Sequence, residues 1–284
     1  MDLFQALVLG IVQGLTEFLP ISSSAHLLII PWIFGWTDPG ITSIQFDVAL
    51  HMGTLIAVLV YFAADWRRMI GAFFRSVAER NIGDDPDRKL VWFVILGSIP
   101  AVVLGVLAES KIDEFFHRPE NFRAGIIVIA TMMIALALML YLAERVGKRI
   151  YELSHLKVGS AMAIGFAQAL ALIPGVSRSG STITAGLFLG LKRETAARFS
   201  FLLGTPVVLG AGLKKTYDVL QAGGIPSDQL IGFIVGFLAA AFSGFFCIAF
   251  LMRFLQRNST MPFIIYRIVL GIGLLVLVMV GFRS

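Results

Sequence analysis

With one cysteine, Cys247, the 284-residue chain can form neither an internal disulfide nor a cysteine-based metal cluster. Charge is scarce too. Only 14% of residues are Asp, Glu, Lys or Arg, against about 25% in an ordinary soluble domain, while 57% are hydrophobic. With a mean hydropathy of +0.86, this excludes a disordered chain and a routine cytosolic globule. The N-terminus has no basic region before its first apolar run and no clear small-residue cleavage site, so that run is expected in the mature protein. The 23 basic residues exceed the 18 acidic ones, but they sit in short connections between apolar segments. This is the pattern of cytoplasmic loops in a membrane protein, and no nucleic acid is expected as a partner.

The apolar runs are long enough for an all-α, polytopic membrane protein. Residues 91–108, 124–143 and 229–252 carry no charge, and crossing a hydrocarbon core takes about 20 mainly apolar residues. Six full spans are expected over 46–64, 91–108, 124–143, 199–213, 229–252 and 263–282. Arg267, near one end of the last, is expected to snorkel to the interface. Gly232 with Gly236, and Gly186 with Gly190, have the spacing of close helix packing.

Two further runs are interrupted. Residues 3–34 contain Pro20 and three consecutive serines, and 158–191 contain Pro174, Arg178 and several hydroxyl residues. Irregular backbone at membrane depth survives only when protein or a water-filled cavity surrounds it, so each run predicts a helix, a polar break and a second helix re-entering the same side. The breaks are related. At an offset of 155 residues Gly10 matches Gly165, Gln13 matches Gln168, Leu15 matches Leu170, Ser22 matches Ser177 and Ser24 matches Ser179. One membrane domain built from two repeats, 1–157 and 158–284, is expected, each a broken hairpin plus three spans. An odd number of spans inverts the second copy, and broken helices in inverted repeats meet near the midplane.

Loop charge predicts the orientation. Arg67, Arg68, Arg75, Arg80, Arg88 and Lys89 follow the first span, Arg145, Lys148, Arg149 and Lys157 the third, and Arg253 and Arg257 precede the last. The opposite connections hold only Lys111, Arg118, Lys214 and Lys215, so both termini are expected outside the cytoplasm.

The polar residues in the breaks are the candidates for chemistry. Gln13 and Glu17 are four apart and share a helix face, and a carboxylate in an apolar run points into a bundle or cavity. Glu17 with Gln13 could bind Mg²⁺ or Ca²⁺ beside substrate phosphate, or Glu17 could position water or a histidine. His26 could activate Ser23 or water, or accept the phosphoryl group itself. In the second break, Pro174-Gly175-Val176-Ser177-Arg178-Ser179-Gly180-Ser181-Thr182 offers hydroxyls, backbone N–H groups and a guanidinium fork to an anion, with no P-loop pattern. Asp47 and His51 form another i, i+4 pair, read either as a second layer that holds the site or as interfacial polarity. A lipid carrying a diphosphate suits this layout, its headgroup in the cavity and its chain in the bilayer, where each buried methylene gains about 0.8 kcal/mol.

The stretches QGLTEFLPISSSAH, from Gln13 to His26, and PGVSRSGST, from Pro174 to Thr182, with FDVALHMGT from Phe46 to Thr54, make the chain similar to the bacterial undecaprenyl-diphosphate phosphatase family of the bacitracin-resistance type. The resemblance runs nearly end to end. It implies hydrolysis of undecaprenyl diphosphate to undecaprenyl phosphate and inorganic phosphate, recycling the carrier lipid for cell-wall synthesis. It also implies a divalent cation, an inverted-repeat fold in the bacterial plasma (inner) membrane and a site toward the external face. Carried across, Glu17 would hold metal or orient the base, His26 would be base or nucleophile, Ser23 nucleophile or phosphate donor, and Arg178 the phosphate clamp. Ser22, Ser24, Ser177, Ser179, Thr182 and Gln13 would supply further substrate contacts. The expected partners are the polyprenyl diphosphate and the bilayer, with a homo-oligomer left open. The competing class is a transporter for the same lipid, since inverted repeats and broken helices also serve transport.

Overall fold

The computed structural model describes residues 1–117, 121–221 and 223–283. Arg118, counted above among the external basic residues, and Ser284, the last residue of the second repeat, lie outside the described residues. Eleven α-helices make up the described chain, with short 3₁₀ turns at Leu153–His155 and Leu170–Leu172. They are α1 (Leu3–Phe18), α2 (Ser23–Phe34), α3 (Ile44–Tyr61), α4 (Ala63–Ala78), α5 (Pro86–His117), α6 (Phe122–Val146), α7 (Val158–Ala169), α8 (Arg178–Phe188), α9 (Arg193–Gln221), α10 (Leu230–Arg257) and α11 (Met261–Met279). Six of them, α3, α5, α6, α9, α10 and α11, are long and apolar enough to cross a membrane. Large apolar side chains such as Leu107, Phe242, Phe246 and Val269 are two-thirds exposed along these helices, which suits contact with lipid rather than water.

The first expected span closes early, because α3 ends at Tyr61 and the chain turns at Phe62 into α4. The sequence reading took this stretch for a loop. Yet α4 is an amphipathic helix that buries Asp65, Met69, Ala72 and Ser76 and turns Ile70, Phe74 and Val77 outward among arginines. The fourth span, in contrast, is longer than expected and runs through Pro206.

Where the helices begin and end is fixed by polar ties. The α1–α2 pair starts and finishes at one end of the bundle: the Asp2 N–H donates to Asp38 Oδ2 at 2.8 Å, and the N-terminal amine lies 3.8 Å from the same carboxylate. The α7–α8 pair starts and finishes together as well. Tyr151, ahead of α7, forms a parallel bridge with Leu191, just past α8, and the Gly190 carbonyl accepts from the N–H groups of Ile150 and Tyr151. Gly190 itself adopts a left-handed turn at φ 84°, so it serves chain reversal rather than the packing stripe expected of it. Gly186 does pack closely, against Ala196 of α9. At the α7–α8 end, buried Glu144 accepts from Arg149, Arg193 and the Thr260 hydroxyl, tying α6, α9 and the start of α11 together.

The largest hydrophobic cluster joins α3, α5, α8, α9 and α10, and Phe18 at the end of α1 meets Phe201 of α9 edge-on at 5.3 Å. Gly10 lets α1 approach α10 so closely that an added Cβ would strike the Gly236 carbonyl. This packing sets the two helix breaks side by side in the middle of the bundle.

Candidate active site

Each break rests on one strained serine. Ser22 (φ 77°) and Ser177 (φ 72°) are non-glycine residues in positive-φ conformations, and each is the N-cap of the following helix. Such conformations cost about 1–3 kcal/mol each and persist where surrounding structure over-determines them. Here the two breaks hold each other. The Gly175 N–H donates to Ser22 Oγ at 3.2 Å, and Ser179 Oγ donates to the Leu19 carbonyl at 3.0 Å. Arg267 completes the clamp: fully buried on α11, it donates to the carbonyls of Pro20, Gly175 and Val176 at 2.9–3.1 Å and to that of Met133 on α6 at 3.0 Å. The snorkelling expected of Arg267 is therefore overturned, because the broken helices offer unpaired carbonyls that a guanidinium satisfies in place of water.

The reversals aim Ser23 and Arg178, the first residues of α2 and α8, at one cavity of about 230 Å³. Its polar wall is Glu17, Ser22, Ser23, Ser24, His51, Gln168, Ser177 and Arg178; its apolar wall includes Ala101, Leu172, Val207 and Val208. Pro100 and Pro206 stand next to the apolar lining, each removing a backbone hydrogen bond from the helix that carries it.

Glu17 is the hub. Its Oε2 accepts from Ser23 Oγ at 2.6 Å and from Gln13 Nε2 at 3.1 Å, and its Oε1 accepts from Arg178 Nη2 at 3.0 Å. The Ser23 contact has the length of a charge-assisted O–H···O⁻ bond. His51 Nδ1 donates to the Asp47 carbonyl at 2.8 Å, which leaves Nε2 facing Glu17 Oε2 at 3.7 Å. Arg178 spends one nitrogen on Glu17, while Nη1 and Nε have no hydrogen-bond partner among the described residues. Gly204 makes room for this guanidinium, since a Cβ there would overlap Nη1 and Cζ.

Several sequence candidates stand elsewhere. His26 is buried outside the cavity lining, its Nδ1 donating to the Ser22 carbonyl at 2.6 Å and its Nε2 2.7 Å from the Tyr266 hydroxyl. Gln13 lies behind Glu17, fully buried and off the cavity wall. Thr182, also fully buried, donates to the Arg178 carbonyl at 2.7 Å and sits 2.6 Å from Ser200 Oγ. Ser179 is committed to Leu19. Asp47 lines a different cavity, with Trp32 and Trp36. The sequence reading missed Gln168 as a site residue, although its match to Gln13 signalled it, missed Gly204, although Gly53-Thr54 recurs as Gly204-Thr205 at an offset of 151 residues, and missed Tyr266, for which only packing supplies a signal.

Among the described residues no group of three His, Cys, Asp or Glu side chains could hold a metal ion. One carboxylate beside hydroxyls does fit a hard cation that keeps its waters and shares substrate phosphate oxygens, the usual habit of Mg²⁺.

Compared with known proteins, residues 6–273 match the family model of the bacitracin resistance protein BacA. The chain belongs to this family. It is 50% identical over 278 residues to the undecaprenyl-diphosphatase of Thermomicrobium roseum, covering 98% of this chain and 99% of that one. The undecaprenyl-diphosphatase of Alcanivorax borkumensis is 47% identical over 275 residues, covering 97% and 98%. That of Geobacter sulfurreducens is 46% identical over 271 residues, covering 95% and 96%. The similarity to BacA therefore spans both helix breaks and reaches into all six long apolar helices.

Proposed function

We propose that this chain hydrolyses undecaprenyl diphosphate to undecaprenyl phosphate and inorganic phosphate, returning the carrier lipid to cell-wall synthesis. The observation that carries the reading is the single cavity in which the Ser23 hydroxyl meets Glu17 at 2.6 Å, with Arg178 on the other carboxylate oxygen. Glu17 takes the Ser23 proton as Oγ attacks the terminal phosphorus. The Oγ–P bond forms, the anhydride P–O bond breaks, and undecaprenyl phosphate leaves; water then releases inorganic phosphate from the serine. Arg178 Nη1 and Nε and the amino-terminal ends of α2 and α8 stabilise charge on the phosphoryl oxygens. His51 Nε2 lies 3.7 Å from Glu17 Oε2, on the same cavity wall. His26 acts through position, holding the Ser22 turn and bonding Tyr266. A divalent cation held by Glu17 with the diphosphate would neutralise phosphate charge when bound; Gln13 would orient Glu17 rather than touch the metal.

This reading places the chain in the bacterial plasma membrane as two inverted repeats. The α1–α2 hairpin enters from one side and α7–α8 from the other, which is supported by the ties Asp2–Asp38 and Tyr151–Leu191 at opposite ends of the bundle. The arginines of α4 and of the α6–α7 connection mark the cytoplasmic end, leaving both termini outside.

The test is phosphate release from undecaprenyl diphosphate by purified protein in detergent, with Mg²⁺, Ca²⁺ or EDTA, alongside Glu17→Ala, Ser23→Ala and Arg178→Ala. Metal-dependent release, lost in folded variants, is expected. Specific lipid binding without release, under several lipid and detergent conditions, would overturn hydrolysis in favour of transport.

A further inference from the structure

Gln168 stands in the last turn of α7, 3% exposed, on the polar wall of the cavity. Neither its Oε1 nor its Nε2 has a hydrogen-bond partner among the described residues. Burying both halves of an amide without partners costs about 1–3 kcal/mol per group, so a side chain kept this way has a use that folding does not explain. The comparison with Gln13 shows how it became unpaired. Gln13 Nε2 donates to Glu17 one helical turn later. The position 155 residues after Glu17 is Leu172, so the second break carries the amide and lacks the carboxylate that would bind it. Leu172 and Gln168 both face the cavity, with Arg178 and Ser177 on the same wall.

We infer that Gln168 binds the diphosphate headgroup, its Nε2 donating to a non-bridging phosphate oxygen and its Oε1 accepting from a phosphate hydroxyl or a water carried with it. The assignment rests on the phosphatase reading for its lipid, and on the geometry alone for its anion. Gln168 is neutral and reaches no nucleophile, so its contribution is to affinity: it positions the headgroup that Arg178 neutralises and Ser23 attacks. The two breaks then divide the work, one activating the nucleophile and the other holding the phosphate.

The test uses the full chain in detergent with Gln168→Leu, and Gln168→Met as a variant of similar length should the branched side chain fail to fold. Two readouts are taken, phosphate release from undecaprenyl diphosphate and the concentration of inorganic pyrophosphate, with Mg²⁺, needed to raise the thermal unfolding midpoint. Losing a hydrogen bond to a charged group is expected to raise KM and the half-saturating pyrophosphate concentration at least tenfold, with kcat within threefold of wild type. The unliganded midpoint should hold or rise, because two unpaired polar atoms are replaced by apolar ones. A structural role would produce the opposite, a lowered midpoint with unchanged KM, and that result overturns the inference, as does unchanged pyrophosphate affinity. If the wild type releases no phosphate from the lipid but binds pyrophosphate through Gln168, the phosphatase reading fails and the anion site stands. If the wild type does not bind pyrophosphate, the Gln168 assignment fails.

Discussion

Replacing Gly204 by alanine tests whether Arg178 works from the position seen here. The added methyl would overlap Arg178 Nη1 and Cζ and lie 3.1 Å from Nη2. To restore ordinary van der Waals separation the guanidinium must withdraw by about 2 Å. The 3.0 Å bond from Nη2 to Glu17 Oε1 cannot survive that movement, and Nη1 and Nε move with it, away from where the proposed mechanism has them bind phosphate. Misplacing a reacting group by about 1 Å can cost roughly 10²-fold, and removing one charge-stabilising donor costs about 10²–10³-fold. The expected fall in kcat/KM is therefore about 10²-fold or more. Stability should fall as well, because overpacking costs about 1–3 kcal/mol and the Arg178–Glu17 pair loses its contact, against about 1 kcal/mol that alanine gains in the helix. Phosphate release and thermal unfolding should be measured on the same preparations, with Gly210→Ala as control. Gly210 lies on the same helix, and a methyl there meets no atom within 4 Å. Activity of Gly204→Ala within threefold of wild type would refute the placement of Arg178.

Glu17→Gln should lower kcat/KM by about 10²–10⁴-fold, the range for general-base catalysis, and lower stability because Arg178 keeps its charge without its partner; phosphate release and thermal denaturation check both. Tyr266→Phe and His26→Ala should be non-additive by about 1 kcal/mol in a double-mutant cycle on kcat/KM, since the two side chains bond at 2.7 Å; additive effects would show that His26 acts independently of Tyr266. EDTA should abolish phosphate release yet leave the unfolding midpoint of lipid-free protein unchanged, because among the described residues no group of three His, Cys, Asp or Glu side chains could hold a cation without the diphosphate; a drop in midpoint would reveal a resident metal. Glu144→Gln should destabilise by about 3 kcal/mol, seen in thermal unfolding, while the KM of surviving protein stays the same, because that carboxylate ties helix ends far from the cavity.

The spans were legible because apolar length alone specifies them, and the breaks because Pro20, Pro174 and the serines cannot continue an apolar helix. That Glu17, Ser23 and Arg178 would share one cavity followed from matched breaks. Which histidine faces that cavity did not. His26 and His51 are both close to acids and hydroxyls in the sequence, but the positive-φ turn at Ser22 rotates the start of α2 so that His26 folds back on the Ser22 carbonyl. His51, one turn along α3 from Asp47, is left at the wall. Arg267 misled for a related reason: a charge near a span end ordinarily reaches water, and the carbonyls that hold it belong to segments 91 to 247 residues away. The α4 helix was hidden by its arginines, which read equally well as a solvated loop.

Arg267 also sets an order of events during synthesis. It lies on α11, which leaves the ribosome after every helix that lines the cavity, and its guanidinium joins the carbonyl of Pro20 to those of Gly175 and Val176. Until α11 is inserted, the strained turns at Ser22 and Ser177 have only their two direct bonds, Gly175 to Ser22 and Ser179 to Leu19, and lack the guanidinium that ties both backbones to α6 and α11. A nascent chain already threaded through the bilayer would thus carry every residue of the cavity wall and still be inert, becoming competent for its lipid only when α11 arrives.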